Sequence, residues 1–348
     1  MQHSPPPTVP PPGPDWLHDA RTGLESALRD AVAPLEPAAR EALAYYFGWQ
    51  DEQGRDSSLP SGRRRLGSLT LLNATLKGGD WRAAMPAAVA CELAFNAAVI
   101  HDDIIDQDRT RRGRPTVWSL FGEPAAILAG NALTAVAFDV LATARPELAA
   151  VTTGWLARTV AKLNAGQLLD IRFEDRVEVT LEDYLAMVDG KAGSFAECGC
   201  ALGAIFAGAD PATVDGLAAF GSRLGLIWQL RNDYLGIWGD PALTGKQAHS
   251  DLKSRKKTYP VITALTHTGE SREQLAELYH GTSHGPLSDH DARHAAHLIE
   301  LCGGRDLTLQ ETRRQLDDAL APLARLVPDT TAREGLASLA TVYALSDR

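Results

Sequence analysis

The chain has 348 residues, 45% hydrophobic and 22% charged, the make-up of an ordinary globular protein with room for one large core. Its formal net charge of −10 argues against general affinity for nucleic acid or anionic membranes, so an anionic substrate must meet a local cation cluster or a metal. The four cysteines (Cys91, Cys198, Cys200 and Cys302) have neither zinc nor disulfide spacing and read as reduced, packed thiols, which fits a cytoplasmic protein.

Residues 1–14 hold seven of the 20 prolines and form a disordered tail of polyproline II character. It is either a dispensable extension or a docking tag for another protein. Residues 15–348 read as one all-α domain, a single large helical bundle. Leu17, Leu24, Leu28 and Val32 mark a first helix; Leu35, Ala39, Leu43 and Tyr46 mark a second. Sustained strand alternation is nearly absent. Breakers at Gly78–Gly79, Gly113–Pro115, Gly122–Pro124, Gly208–Pro211, Gly239–Pro241, Gly281–Gly285 and Gly303–Gly304 divide the rest into roughly a dozen helices. No secretory signal is visible at the N-terminus. The two most apolar windows, Ala83 to Ile100 and Pro124 to Val140, contain Glu92, Asn96, Asn131 and Asp139, so neither is a clean membrane span.

The apolar helix ending in Ile100 runs into Asp102, Asp103 and Asp106, spaced so that their carboxylates share a helix face. Such crowding suits a hard dication, Mg²⁺, that keeps its remaining positions for water and phosphate oxygens. Arg109, Arg111, Arg112 and Arg114 follow at once and suit a diphosphate lying beside the metal, although a solvated charge run at a helix end gives the same pattern. A second constellation begins at Leu224. Asn232, Gly236 and Asp240 form one stripe at intervals of four, with Gln229 and Asp233 beside it. Lys246 and Lys256 follow in a loop with Asp251 and could clamp a diphosphate as point charges. His290, His294 and His297 also share a helical face, but far in sequence from both acidic motifs; the reading here is a solvated surface.

The string His101 to Trp118, HDDIIDQDRTRRGRPTVW, closely resembles the first aspartate-rich motif of the trans-prenyl diphosphate synthases (the polyprenyl and geranylgeranyl diphosphate synthases among them). The resemblance extends from about Leu59 to about Leu320. It implies the isoprenoid synthase bundle, Mg²⁺ as cofactor, an allylic prenyl diphosphate and isopentenyl diphosphate as substrates, and a homodimer joined through a flat helical face. Asp102, Asp103, Asp106 and Asp233 would hold Mg²⁺, with Asn232 and Asp240 as further ligands, while Gln229 stands beside them. Lys191, Lys246, Lys256, Arg111 and Gln167 would face the allylic diphosphate, with Asp170 on the turn after Gln167. Arg63, Arg64 and Arg112 would hold isopentenyl diphosphate.

The chain also departs from the family pattern. Asn232 and Gly236 stand where aspartates are usual, Leu66 replaces an arginine that Arg65 could offset, and Phe95 replaces a histidine. An aromatic ring there cannot donate to a diphosphate but can face a carbocation. Ala97 and Ala98, one turn before Asp102, leave room for a geranylgeranyl-length or longer chain. The expected reaction is Mg²⁺-dependent ionisation followed by condensation onto isopentenyl diphosphate. The alternatives are a class I terpene cyclase on the same scaffold and a non-catalytic regulatory subunit.

Overall fold

The computed structural model describes residues 16–345 apart from 58, 60, 61, 63, 241–247 and 281–284. The proline-rich tail, Arg63 and Lys246 therefore lie outside the described residues. In chain order the helices are α1 (Trp16–Val32), α2 (Pro37–Tyr46), α3 (Arg65–Ala74), α4 (Met85–Ile105), α5 (Val117–Phe121), α6 (Glu123–Ala144), α7 (Ala149–Asp175), α8 (Leu181–Val188) and α9 (Ser194–Phe206). They continue with α10 (Pro211–Trp238), α11 (Ser250–Lys253), α12 (Tyr259–Leu265), α13 (Glu270–His280), α14 (Asp289–Leu301), α15 (Gly304–Leu320), α16 (Leu323–Leu326) and α17 (Thr330–Leu345). The described residues form more helices than the expected dozen because short ones such as α5, α11 and α16 lie in the connections between the long ones.

The helix ends follow local chemistry. Pro37, Pro86, Pro124 and Pro211 lie in first turns, where a missing N–H costs nothing. The Asp210 carboxylate accepts from the Thr213 N–H at 3.0 Å and opens α10. Thr180 and Asp183 form a reciprocal cap on α8. On α1, Leu17, Ala20, Leu24, Leu28 and Val32 are buried as the spacing predicts, and each large side chain contributes about 1.5–3 kcal/mol of burial.

The main core joins α1 to α6, α9, α10 and α17, with α4 packed against α3, α6 and α9. The polar residues inside α4 are satisfied. Glu92 accepts the Gly67 N–H at 2.9 Å, Asn96 donates to the Glu92 carbonyl at 2.7 Å, and the Tyr46 hydroxyl donates to Asn96 at 2.8 Å. A smaller cluster (Phe173, Tyr184, Met187, Leu230, Tyr259) lies between α7, α8, α10 and α12, beneath the acidic motifs. All four cysteines are free and buried. The segments Trp81–Ile105 and Glu123–Ala144 are long and apolar enough to cross a membrane, but the first is mostly inside the core. The second, α6, is mostly outside it.

One strand pair interrupts the helices. Thr110–Arg111 pairs antiparallel with Arg114–Pro115, and both turn residues between them have positive φ, Arg112 at 54° and Gly113 at 74°. That is the backbone of a two-residue hairpin turn, which folds the arginine run back over the end of α4.

Candidate active site

Both aspartate-rich segments are brought to one cleft. Asp102, Asp103 and Asp106 end α4; Gln167 and Asp170 come from α7; Lys191 comes from the segment between α8 and α9; Asn232 and Asp233 come from α10; Lys256 follows α11. Lys191 joins them. Its ammonium lies 3.1 Å from Asp102 and 2.7 Å from Asp170, and Lys256 lies 3.9 Å from Asp170.

Lys191 reaches this position because residues Asp189–Gly193 widen into a π-turn between α8 and α9. A Cβ on Gly166 of α7 would sit 2.4 Å from the Lys191 backbone nitrogen, and one on Gly190 would sit 2.8 Å from the Gly166 Cα. Two glycines thus allow backbone-to-backbone contact and fix the lysine between the acids. Lys162 braces the same turn, donating to Asp189 and Glu197 at 2.9 and 2.8 Å.

Across the two acidic motifs the carboxylates divide into two kinds. Asp103 is 2% exposed and paired with Arg111, which also reaches Asp108 at 3.4 Å. Asp233 is 1% exposed and accepts from the Tyr184 hydroxyl at 2.7 Å, the Tyr259 N–H at 2.9 Å and the Gln229 amide at 2.7 Å. These two are held by protein. Asp102 and Asp106 instead open to the cleft. Among the described residues, Asp102 Oδ1 is buried without a hydrogen bond of good geometry and is ion-paired with Lys191, and Gln167 Nε2 has no hydrogen-bond partner. Asn232 is partly exposed on the facing helix, and Asp240 is exposed at the far end of α10.

The electrostatics reflect this crowding. Burial pushes the Asp103 carboxyl up to about 6, with Asp108 and Asp102 adding to the effect and Arg111 opposing it. Desolvation and then the Asp102 charge raise Asp106 to about 6. Burial also raises Asp233 to about 6. Burial works against the charge of Lys256, but Asp170, Asp251, Asp106 and Asp233 more than offset it, and its pKa is raised. Lys191 behaves in the same way, with Asp170 and Asp102 overcoming desolvation. Asp170 itself is lowered, since Lys256 and Lys191 outweigh its burial. A buried set of oxygen donors with orphaned polar atoms and two lysines fits a hard dication carrying a diphosphate.

The residues expected around isopentenyl diphosphate are arranged less simply. The Arg112 guanidinium lies against Gly62, where a Cβ would approach to 2.9 Å. Arg64, by contrast, is turned inward. It is buried, pairs with Glu25 of α1 at 2.8 Å and lies 5.1 Å above the Phe47 ring, so a ligand would have to compete with Glu25. Arg65 stacks over Trp228 at 5.8 Å and Tyr343 at 5.2 Å, while Leu66 is buried. Phe95 meets Phe195 edge to face at 5.6 Å and Trp228 at 5.8 Å, an aromatic wall on the same α4 face as Asp102. His290, His294 and His297 are exposed, and the described residues hold no metal-binding group of three or more His, Cys, Asp or Glu side chains. The family resemblance implies that Asp170 faces the cavity with Gln167; in the structure it is the shared partner of both lysines. Glu25 carries no local signal, because its partner is 39 residues away.

An all-helical cup with acids on facing helix ends and lysines between them defines an enzyme of the isoprenoid synthase type. The sequence profile of the polyprenyl synthetase family matches residues 54–297, and the chain belongs to that family as a trans-prenyltransferase. It is 37% identical over 313 residues to the (2E,6E)-farnesyl diphosphate synthase of Mycobacterium tuberculosis, covering 89% of this chain and 87% of the relative. It is also 37% identical to the geranylgeranyl diphosphate synthase of the same organism, covering 91% of each. The crystal structure of a polyprenyl synthetase from Streptomyces coelicolor A3(2) superposes with a TM-score of 0.88 at 38% identity, over 94% of this chain and 98% of that one. A polyprenyl synthase from Caulobacter crescentus CB15, complexed with calcium and isoprenyl diphosphate, superposes at 0.82 with 26% identity over 96% and 98%. None of these relatives supports the cyclase or regulatory-subunit alternatives.

Proposed function

We propose that the chain elongates an allylic prenyl diphosphate by head-to-tail condensation onto isopentenyl diphosphate, with Mg²⁺, giving a geranylgeranyl-length or longer product. The observation that carries this reading is the Asp102–Lys191–Asp170 bridge, where acids from two helices and a lysine converge around orphaned polar atoms. Asp102, Asp106 and Asn232 would hold the metal, which supplies Lewis-acid stabilisation of the leaving diphosphate. Asp103 and Asp233, already engaged by protein groups, are positioning residues; the first fixes Arg111 and the second fixes the start of α12.

Lys191 and Lys256 exchange their carboxylate partners for phosphate oxygens when the diphosphate enters. The allylic C–O bond breaks with its electron pair leaving on the diphosphate, the isopentenyl double bond attacks the cation, and a proton departs to the released diphosphate. The Phe95, Phe195 and Trp228 rings keep water from the cation and face it with their π clouds. Arg112, Arg63 and Arg65 make the second diphosphate site, with Arg64 bracing it through Glu25. Ala98 shares the face of Asp102 one turn below and leaves the lumen open to a long chain. The protein works in the cytoplasm as a homodimer, for which the exposed Ile127 and Leu128 of α6 offer an apolar patch.

The test is incubation with Mg²⁺ and geranyl, farnesyl or geranylgeranyl diphosphate, each with and without isopentenyl diphosphate. A longer diphosphate formed only with isopentenyl diphosphate is expected. Hydrocarbon or terpene alcohol released without it would overturn the reading, and so would inactivity with every substrate.

A further inference from the structure

Gly236 lies one turn after Asn232 on the same face of α10. A Cβ at this position would stand 2.0 Å from Asp251 Oδ2 and 2.5 Å from Asp251 Cγ. No real side chain approaches so closely. The Asp251 carboxylate, which arrives from α11, therefore fills the volume that a side chain at 236 would need.

Its surroundings connect it to the cleft. The Lys256 N–H donates to the Asp251 carbonyl at 2.8 Å, so the carboxylate and the cleft lysine belong to one backbone turn. Among the described contacts of the carboxylate itself, the Ser250 hydroxyl lies 3.3 Å from Oδ1. The α10 face opposite Asp102 is otherwise poor in available charge. Asp233 accepts three hydrogen bonds from protein, Asp240 is exposed at the far helix end, and Asn232 offers only a neutral amide. A hard dication prefers charged oxygen.

We propose that Asp251 supplies, from outside α10, the carboxylate that α10 lacks at Gly236, and that it acts with Asn232 on the divalent cation that accompanies the diphosphate. This rests on the reading of the cleft as a metal–diphosphate site. It gives Gly236 a steric role, because any Cβ there would force the Asp251 carboxylate away from its place against the helix.

The experiment is a titration of the full chain with Mn²⁺ in the presence of inorganic pyrophosphate, followed by electron paramagnetic resonance, with metal-free circular dichroism and melting as fold controls. Asp251→Asn keeps the shape and removes the charge; its Mn²⁺ affinity is expected to fall about 10- to 100-fold, with the metal-free melt no lower than wild type. Gly236→Asp alone should clash with Asp251 and weaken both binding and fold. Gly236→Asp combined with Asp251→Gly moves the carboxylate back onto α10 and should recover most of the affinity. An Asp251→Asn variant with wild-type affinity would overturn the inference while leaving the site reading intact. A folded double variant as weak as Asp251→Asn would overturn it as well. A wild-type chain that takes up no Mn²⁺ with pyrophosphate would overturn the site reading itself.

Discussion

At the scale of single residues, the cleft shows one chemical group serving two purposes. Asp102 and Asp103 are neighbours in sequence, yet the α-helical turn sends one into the cleft and the other into the core against Arg111. Asp102→Ala removes a cleft ligand and leaves Lys191 with Asp170 alone. Turnover is expected to fall by about 10²–10³-fold, the loss typical of one preorganised electrostatic contact, and steady-state kinetics would show it. Asp103→Asn should instead lower stability together with activity, because it leaves Arg111 without its buried partner. The raised carboxyls add a dependence on pH. Asp103, Asp106 and Asp233 titrate near 6 when folded against an ordinary value of 3.8, so the folded chain binds protons that the unfolded chain releases. These three groups stabilise the metal-free protein as pH falls from above 6 towards 4. Asp170, whose pKa is lowered, acts in the opposite sense, and its contribution disappears as pH drops below 3.8. Metal binding requires the ionised carboxylates. Thermal melts of metal-free protein should therefore rise between about pH 7.5 and 5, while the added stability from Mg²⁺ with pyrophosphate should shrink over the same range. A melt that moved the other way without metal would contradict the raised carboxyls of the folded state.

At the scale of elements, the helices were largely legible because their apolar periodicity and their breakers are local. Gly122–Pro124, Gly208–Pro211 and Gly303–Gly304 all fall where one helix hands over to the next. In sequence the hairpin over Arg112 and Gly113 reads only as a break, since a two-residue strand is too short for alternation to register. The π-turn at Asp189–Gly193 was invisible for a different reason. Its residues read as continuous helix, and what widens it is the contact of Gly190 with Gly166, 24 positions earlier in the chain. That contact can be tested. Gly166→Ala places a methyl 2.4 Å from the Lys191 nitrogen, and the obstacle is backbone, which cannot rotate aside. The substitution is expected to cost about 1–3 kcal/mol in chemical denaturation and to reduce turnover by displacing Lys191 from Asp102 and Asp170. A variant that kept full stability and turnover would show that the π-turn tolerates a wider helix spacing than its geometry implies.

At the scale of the whole molecule, what sequence could locate was the set of acids and cations; what it could not give was their partners. Asp102, Asp106, Asp170 and Lys191 carry recognisable motifs, whereas the lysine partners of Asp170, the Arg64–Glu25 pair and the approach of Asp251 to Gly236 come from contacts across the bundle that no spacing announces. The outer surface raises the same problem of an unseen partner. Of the two most apolar helices, α4 is covered by its neighbours, but α6 leaves Ile127 44% and Leu128 65% exposed. Adjacent apolar side chains on one face are costly to leave in water, and burying them against a second copy fits the proposed homodimer. Leu128 is the most exposed of them and lies outside the cleft, so Leu128→Asp puts a charge into the contact without touching the acids or lysines. Sedimentation analysis should find wild-type protein as a dimer and the variant shifted towards monomer, with its helical circular dichroism retained. A wild-type monomer, or a variant that stays fully dimeric, would assign the α6 patch to something other than self-association.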